Sequence, residues 1–109
     1  MDREAVIAAC LALPGVVEEY PFGPDVAVFK IGGKIFAVVG LDDVPGSVSL
    51  KCDPGYAVAL RDQFAAVTPG YHLNKRHWNT VRLDGSVPGE VLAEWIEDSY
   101  ELVSPRRRT

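Results

Sequence analysis

Between Pro69 and Gly85 the chain reads PGYHLNKRHWNTVRLDG, and no other stretch holds as much chemistry. It gathers both histidines, a tyrosine, a tryptophan and the cations Lys75, Arg76 and Arg82, with no acid before Asp84. If Leu73 to Arg76 form a turn between two strands, His72 and His77 oppose each other with Cβ atoms about 5 Å apart. Two imidazoles so placed could begin a metal site. A catalytic zinc takes three protein ligands, however, and no Cys, Asp or Glu stands close enough in the stretch to supply the third. No metal is therefore expected, and the histidines read as structural or phosphate-contacting groups.

The same stretch suits nucleic acid better. With Val81 and Leu83 turned inward, alternation sends Trp78, Thr80 and Arg82 to the other face of their strand. Tyr71 would pair with Trp78 across the strands, which sets stacking rings beside charge, and Lys75 and Arg76 at the tip could reach phosphates. The plainer reading is a buried Trp78 and cations that merely keep a hairpin soluble.

Cys52 precedes a helix start at Asp53-Pro54 and follows Lys51, two features that favour a thiolate, while Asp53 opposes it. A strand-end cysteine that simply packs explains it as well. Cys10 and Cys52 show neither CxxC nor CxxH spacing, so free thiols are expected. GxSxG, P-loop and GxGxxG patterns are absent, leaving no enzyme signature and no implied cofactor.

The elements that hold these residues can be read in order. Asp2 caps a first helix bearing Val6, Ala9, Cys10 and Leu13, stopped by Pro14-Gly15. Val16 to Pro24, VVEEYPFGP, reads as an ordered loop in which Glu18 and Glu19 are solvated acids. Val26–Ile31 and Lys34–Val39 flank Gly32-Gly33, a hairpin signal that sets Phe29 opposite Phe36 and Lys30 opposite Ile35. A second apolar face, Val26, Val28, Ile35, Ala37 and Val39, then calls for a cover, within the chain or from a partner. Ser47 to Lys51 alternates as a third strand. Asp53-Pro54 opens a helix through Phe64. Ala66–Leu73 and Trp78–Leu83 are the last strands. Pro88 starts a final amphipathic helix with Val91, Leu92, Trp95, Ile96, Ser99, Leu102 and Val103 on its apolar stripe.

The order is α-β-β-β-α-β-β-α. Hairpins without parallel crossovers point to an α+β, two-layer domain with an antiparallel sheet of about five strands, covering residues 1–105. Residues 106–109 read as a basic tail. At 109 residues and 48% hydrophobic the chain can bury a core without metals or disulfides. The net charge is −4, but without Arg106, Arg107 and Arg108 the body holds 8 basic against 15 acidic residues, or −7. Grip by bulk charge is excluded by that sign, so binding to nucleic acid would need a local patch. No apolar run spans a bilayer and no signal-peptide pattern is present, which predicts a cytoplasmic protein.

Several blocks resemble the MmcQ/YjbR family: LPG at 13–15, PFG at 21–23, VFKIGGKIFA at 28–37, LKCDP at 50–54, LR at 60–61, PGYHLNKRHWNTV at 69–81 and SYELV at 99–103. The resemblance implies a fold similar to CyaY and to secretion-chaperone-like domains. It also implies a proposed double-wing mode of DNA binding, in which two β-hairpins contact the duplex. Carried onto this chain, the wings are the Lys30–Lys34 and Lys75–Arg76 hairpins. The expectation is a non-enzymatic domain that binds DNA weakly through Lys30, Lys34, Tyr71, His72, Lys75, Arg76, His77, Trp78 and Arg82. The alternative is a protein-interaction module using an exposed sheet face.

Overall fold

Asp2 and Asp53 begin the first two helices as expected, each by accepting backbone hydrogen bonds. In the computed structural model, which describes residues 1–105, Asp2 Oδ1 accepts from Ala5 N at 2.9 Å and Asp53 Oδ1 from Gly55 N at 3.1 Å. The elements are α1 (Arg3–Leu11), β1 (Val17–Glu19), β2 (Val26–Ile31), β3 (Lys34–Gly40), β4 (Ser47–Lys51), α2 (Pro54–Gln63), β5 (Val67–Pro69), β6 (Trp78–Arg82) and α3 (Gly89–Val103). The fold is α+β: one antiparallel sheet in the order β1-β2-β3-β4-β6-β5, with three helices against it.

The sheet has six strands rather than about five. The extra one, β1, lies in the segment read as loop. Its prolines stand after Glu19, which leaves Val17, Glu18 and Glu19 free to pair with Lys30, Phe29 and Val28. A three-residue strand with two acids suits a sheet edge.

Gly32 and Gly33 turn the β2–β3 hairpin with φ of 59° and 81°, both in the region where glycine pays no steric penalty. Lys30 pairs with Ile35 as expected, but Phe29 pairs with Ala37, not Phe36, because the register shifts between Phe29 and Lys30. The extra residue changes which side chains share a face. Ala37 and Val39 join Ala27, Phe29 and Phe36 in the core under the helices, while Val28, itself fully buried, pairs with Val38 and Val26 pairs with Gly40 on the other face. The expected apolar second face is thus divided. Helices cover half of it, and Val26 and Val38 share the remainder with Ser47, Ser49, Thr68 and Thr80.

The core is filled by Val48 and Leu50 of β4, Val81 of β6, Val67 of β5 and the α3 residues Leu92, Trp95, Ile96 and Val103. Trp95, 5% exposed, meets Phe64 edge-on at 5.2 Å, and Tyr100 meets Phe36 likewise at 5.5 Å. Leu102 departs from the predicted stripe and remains 38% exposed. The Ser99 hydroxyl joins helix to sheet, accepting from Lys51 N at 2.8 Å and donating to Phe36 O at 2.6 Å. Among the described residues no helix is long and apolar enough to cross a membrane.

Candidate nucleic-acid interface

The second hairpin is shorter than its sequence suggests. β5 ends at Pro69 rather than Leu73, because residues 71–77 satisfy their backbone groups by turns and side chains rather than by a strand ladder: Tyr71 N donates to Thr80 Oγ1 at 2.9 Å, and His77 O accepts from Cys52 N at 2.6 Å. Lys75 Nζ donates to Gly70 O at 2.8 Å, and Asn74 Oδ1 accepts from Arg76 N at 2.9 Å and His77 N at 3.3 Å. Gly70 N donates to Trp78 O at 2.9 Å, which puts Gly70, not Tyr71, across from Trp78. A Cβ on Gly70 would come within 2.7 Å of Trp78 Cβ, so only glycine allows this approach.

Two expectations fail with that register. His72 and His77 do not oppose each other on paired strands: both lie in the loop, and His72 has a left-handed φ of 59°. Tyr71 does not pair with Trp78; it is 71% exposed and packs its ring on the adjacent His72 at 4.0 Å. Among the described residues no three His, Cys, Asp or Glu side chains lie close enough together to hold a metal.

Arg61 of α2 fixes the loop from behind. Its Nε donates to Asn79 Oδ1 at 2.7 Å and its Nη2 to Lys75 O, while Asn79 Nδ2 donates to Ala57 O at 3.2 Å. Asn79 is buried, so this chain of bonds places the loop from inside the fold. The sequence reading gave Arg61 no role; it stood there only as part of the LR block at 60–61.

Strand directions bring the two turns together. β2 runs up to Gly32-Gly33 and β3 runs down, β4 runs up, and β6 starts from the 70–77 loop and runs down. Both turns therefore leave the same end of the sheet. Three strand spacings of 4.7–4.9 Å separate them, about 14 Å. Lys34 stands at the first turn, with Lys75 and Arg76 on the second. Lys51, absent from the expected site, ends β4 between the two turns; it pairs with Trp78, and alternation with Val48 and Leu50 puts it on the open face.

Two expected contacts do not join this group in the same way. Lys30 is bound to Glu19 at 2.9 Å, which offsets its charge. Arg82 lies at the other end of β6, about 13 Å from Trp78 at 3.3–3.4 Å per residue. There it shares the open face with Asp42, Asp43 and Asp84. Hydrogen bonds from the Ser86 hydroxyl and backbone hold the Asp84 carboxyl below its ordinary pKa, and the charge of Arg82 adds to the effect. The open face is thus polarised, with cations around the turns and carboxylates at the far end.

Cys52 forms no disulfide, and its thiol is pushed up to about 11 by burial and by the charges of Asp53 and Asp98, with Arg61 acting weakly against them. The field of α2 does not activate it. A nucleophilic role has no support in that environment.

A six-stranded antiparallel sheet with helices on one face and paired turns at one end defines a small α+β domain of the double-hairpin kind. The YjbR family model matches residues 11–102, and the chain belongs to that family. YbdF of Escherichia coli O157:H7, described as uncharacterized, is 42% identical over 102 residues, covering 93% of this chain and 83% of its own. YjbR of Escherichia coli K12, also described as uncharacterized, is 37% identical over 101 residues, covering 93% and 86%. The crystal structure of Deinococcus radiodurans DR2400 superimposes with a TM-score of 0.90 at 39% identity, over 97% of this chain and 80% of that one. A Pseudomonas syringae protein superimposes with a TM-score of 0.82 at 29% identity, over 94% and 98%.

Proposed function

We propose that the chain is a non-enzymatic, cytoplasmic DNA-binding domain whose two turns straddle a groove of the duplex and hold phosphates on either side. The observation that supports this is the projection of both turns from one end of the sheet with three strand spacings between them, which at ideal spacing is about 14 Å against a major groove about 12 Å wide. Lys34 serves one side, and Lys75 and Arg76 the other. Lys51 and the ring of Trp78 lie between them. The contacts are with phosphate, so sequence preference is weak.

Three or four neutralised phosphates give a slope of log K against log salt of about −2.7 to −3.6, at roughly 0.9 per phosphate. Affinity falls in the non-specific range, about 10⁻⁴ to 10⁻⁶ M at physiological salt. Fluorescence anisotropy with a labelled duplex, titrated at two salt concentrations, measures both. Lys75→Glu with Arg76→Glu abolishes binding on this reading. Deletion of residues 106–109, which lie outside the described residues, only weakens it. If the deletion alone eliminates binding and the charge-reversed loop binds normally, the two-turn mechanism is wrong.

A further inference from the structure

On the helix side of the sheet, the face opposite the one that carries Trp78 and Arg82, α2 and α3 stand apart over β4 and β6 and leave a cleft of about 260 Å³. Its walls are Leu50, Leu60, Val67, Val81 and Trp95, with one buried polar side chain, Asn79, whose amide is already bonded to Arg61 and to Ala57 O. Asp53, Asp98 and Glu101 stand around it, with the exposed ring of Tyr56 and the side chain of Leu102. Lys51 also borders it, but alternation along β4 turns that side chain to the opposite face. The cleft is therefore apolar inside and acidic at its opening.

This accounts for two features that the DNA reading leaves aside. Leu102 departs from the buried stripe of α3 because the space beside it is open rather than packed. Cys52, at the same opening, senses the local field: after burial, the carboxylates of Asp53 and Asp98 are what raise its thiol, and they outweigh Arg61. A field that disfavours a thiolate favours a cation and repels phosphate or carboxylate. The volume is just below the range of about 300–1,000 Å³ usual for ligand pockets, which suits a compact molecule and not a nucleotide or a helix.

We propose that this cleft binds a small organic cation with an apolar body, of the aryl- or alkylamine class. The body occupies the space between Leu60, Val67 and Trp95, and the ammonium stays at the opening between Asp98 and Glu101. Apolar contact supplies most of the affinity, and the carboxylates supply the selection by charge.

The probes are 4-phenylbutylamine, the neutral 4-phenylbutanol and the anionic 4-phenylbutyrate, each titrated to about 10 mM into the ¹⁵N-labelled full chain. The amine is expected to shift the amides of Leu60, Trp95, Asp98 and Leu102 with a Kd of about 10⁻⁴–10⁻³ M, from ligand efficiency at this size. The alcohol binds about two- to fivefold more weakly, the worth of a partly exposed charge pair, and the butyrate more weakly still. Asp98→Asn with Glu101→Gln, both on the exposed side of α3, leaves melting unchanged and removes the preference of amine over alcohol. Equal binding of amine and butyrate overturns the proposal. So does an amine affinity unchanged in the double variant, or an absence of cleft shifts at the highest concentration. Lys51 borders the cleft as well as the DNA face, but the groups tested here (Leu60, Trp95, Asp98, Glu101) and the charge-reversed pair Lys75 and Arg76 do not overlap, so the two titrations succeed or fail separately.

Discussion

Ser99 shows how much can rest on one hydroxyl. Continuing the β3–β4 register one step past Ala37 and Leu50 sets Phe36 opposite Lys51, and the Ser99 hydroxyl stands between their backbone groups. Ser99→Ala leaves a part-buried amide and a buried carbonyl without that partner, and we expect a loss of about 1–3 kcal/mol in urea unfolding. The sequence placed Ser99 on the apolar stripe of α3 but gave no sign of its role, since a two-sided bridge depends on strands far away in the chain. Cys10 is a second buried single group, its thiol pushed up to about 12 by burial from an ordinary 9.0. The folded chain therefore keeps a proton that the unfolded chain releases, so this thiol weakens the fold as pH rises from about 9 toward 12 and has no such effect below 9. The urea midpoint should fall over that window, and more shallowly in Cys10→Ala. At pH 8, alkylation by iodoacetamide followed by mass spectrometry should label Cys52 slowly and Cys10 only on unfolding.

Among the elements, α3 was legible from its 3.6-residue pattern, and it lies where that pattern requires. Trp95→Ala removes a buried ring from between α3 and Phe64, and we expect a loss of about 3–5 kcal/mol; melting within a degree or two of the parent would contradict it. The β2–β3 hairpin was legible from Gly32-Gly33, yet its bulge was not, because an alternating apolar run looks the same with or without one extra residue. The 70–77 loop was the least legible element. β-rich residues on both sides of Asn74 suggested a long hairpin, while the outcome depended on Lys75, Asn74 and Arg61 capturing the loop's backbone. Arg61→Ala should release Lys75 O and orphan Asn79 Oδ1. We expect faster amide exchange across residues 70–77, a loss of about 1–3 kcal/mol and weaker DNA binding, all smaller in Arg61→Lys.

At the scale of the whole molecule, connectivity and layers followed from turn signals and periodicity. The cations were legible in the sequence and the resemblance grouped them into two wings, but which of them act together depends on strand order. Placing β4 between the two hairpins sets the distance between the turns and brings in Lys51, and the direction of β6 carries Arg82 to the opposite, acidic end. The sheet also ends abruptly on both sides. β1 and β5 are each three residues long. The hydrogen bond from Gly70 N to Trp78 O makes Gly70 and Trp78 a hydrogen-bonded pair, so Pro69, paired with Asn79, directs its missing N–H outward. On the other side Glu18 and Glu19 would bring like charges together if two β1 edges met. Neither border can template another chain, and crowding this protein should not start fibrillar growth. Replacing Pro69 with Val and both glutamates with Thr should remove that protection, and thioflavin binding with light scattering in concentrated samples would register the change.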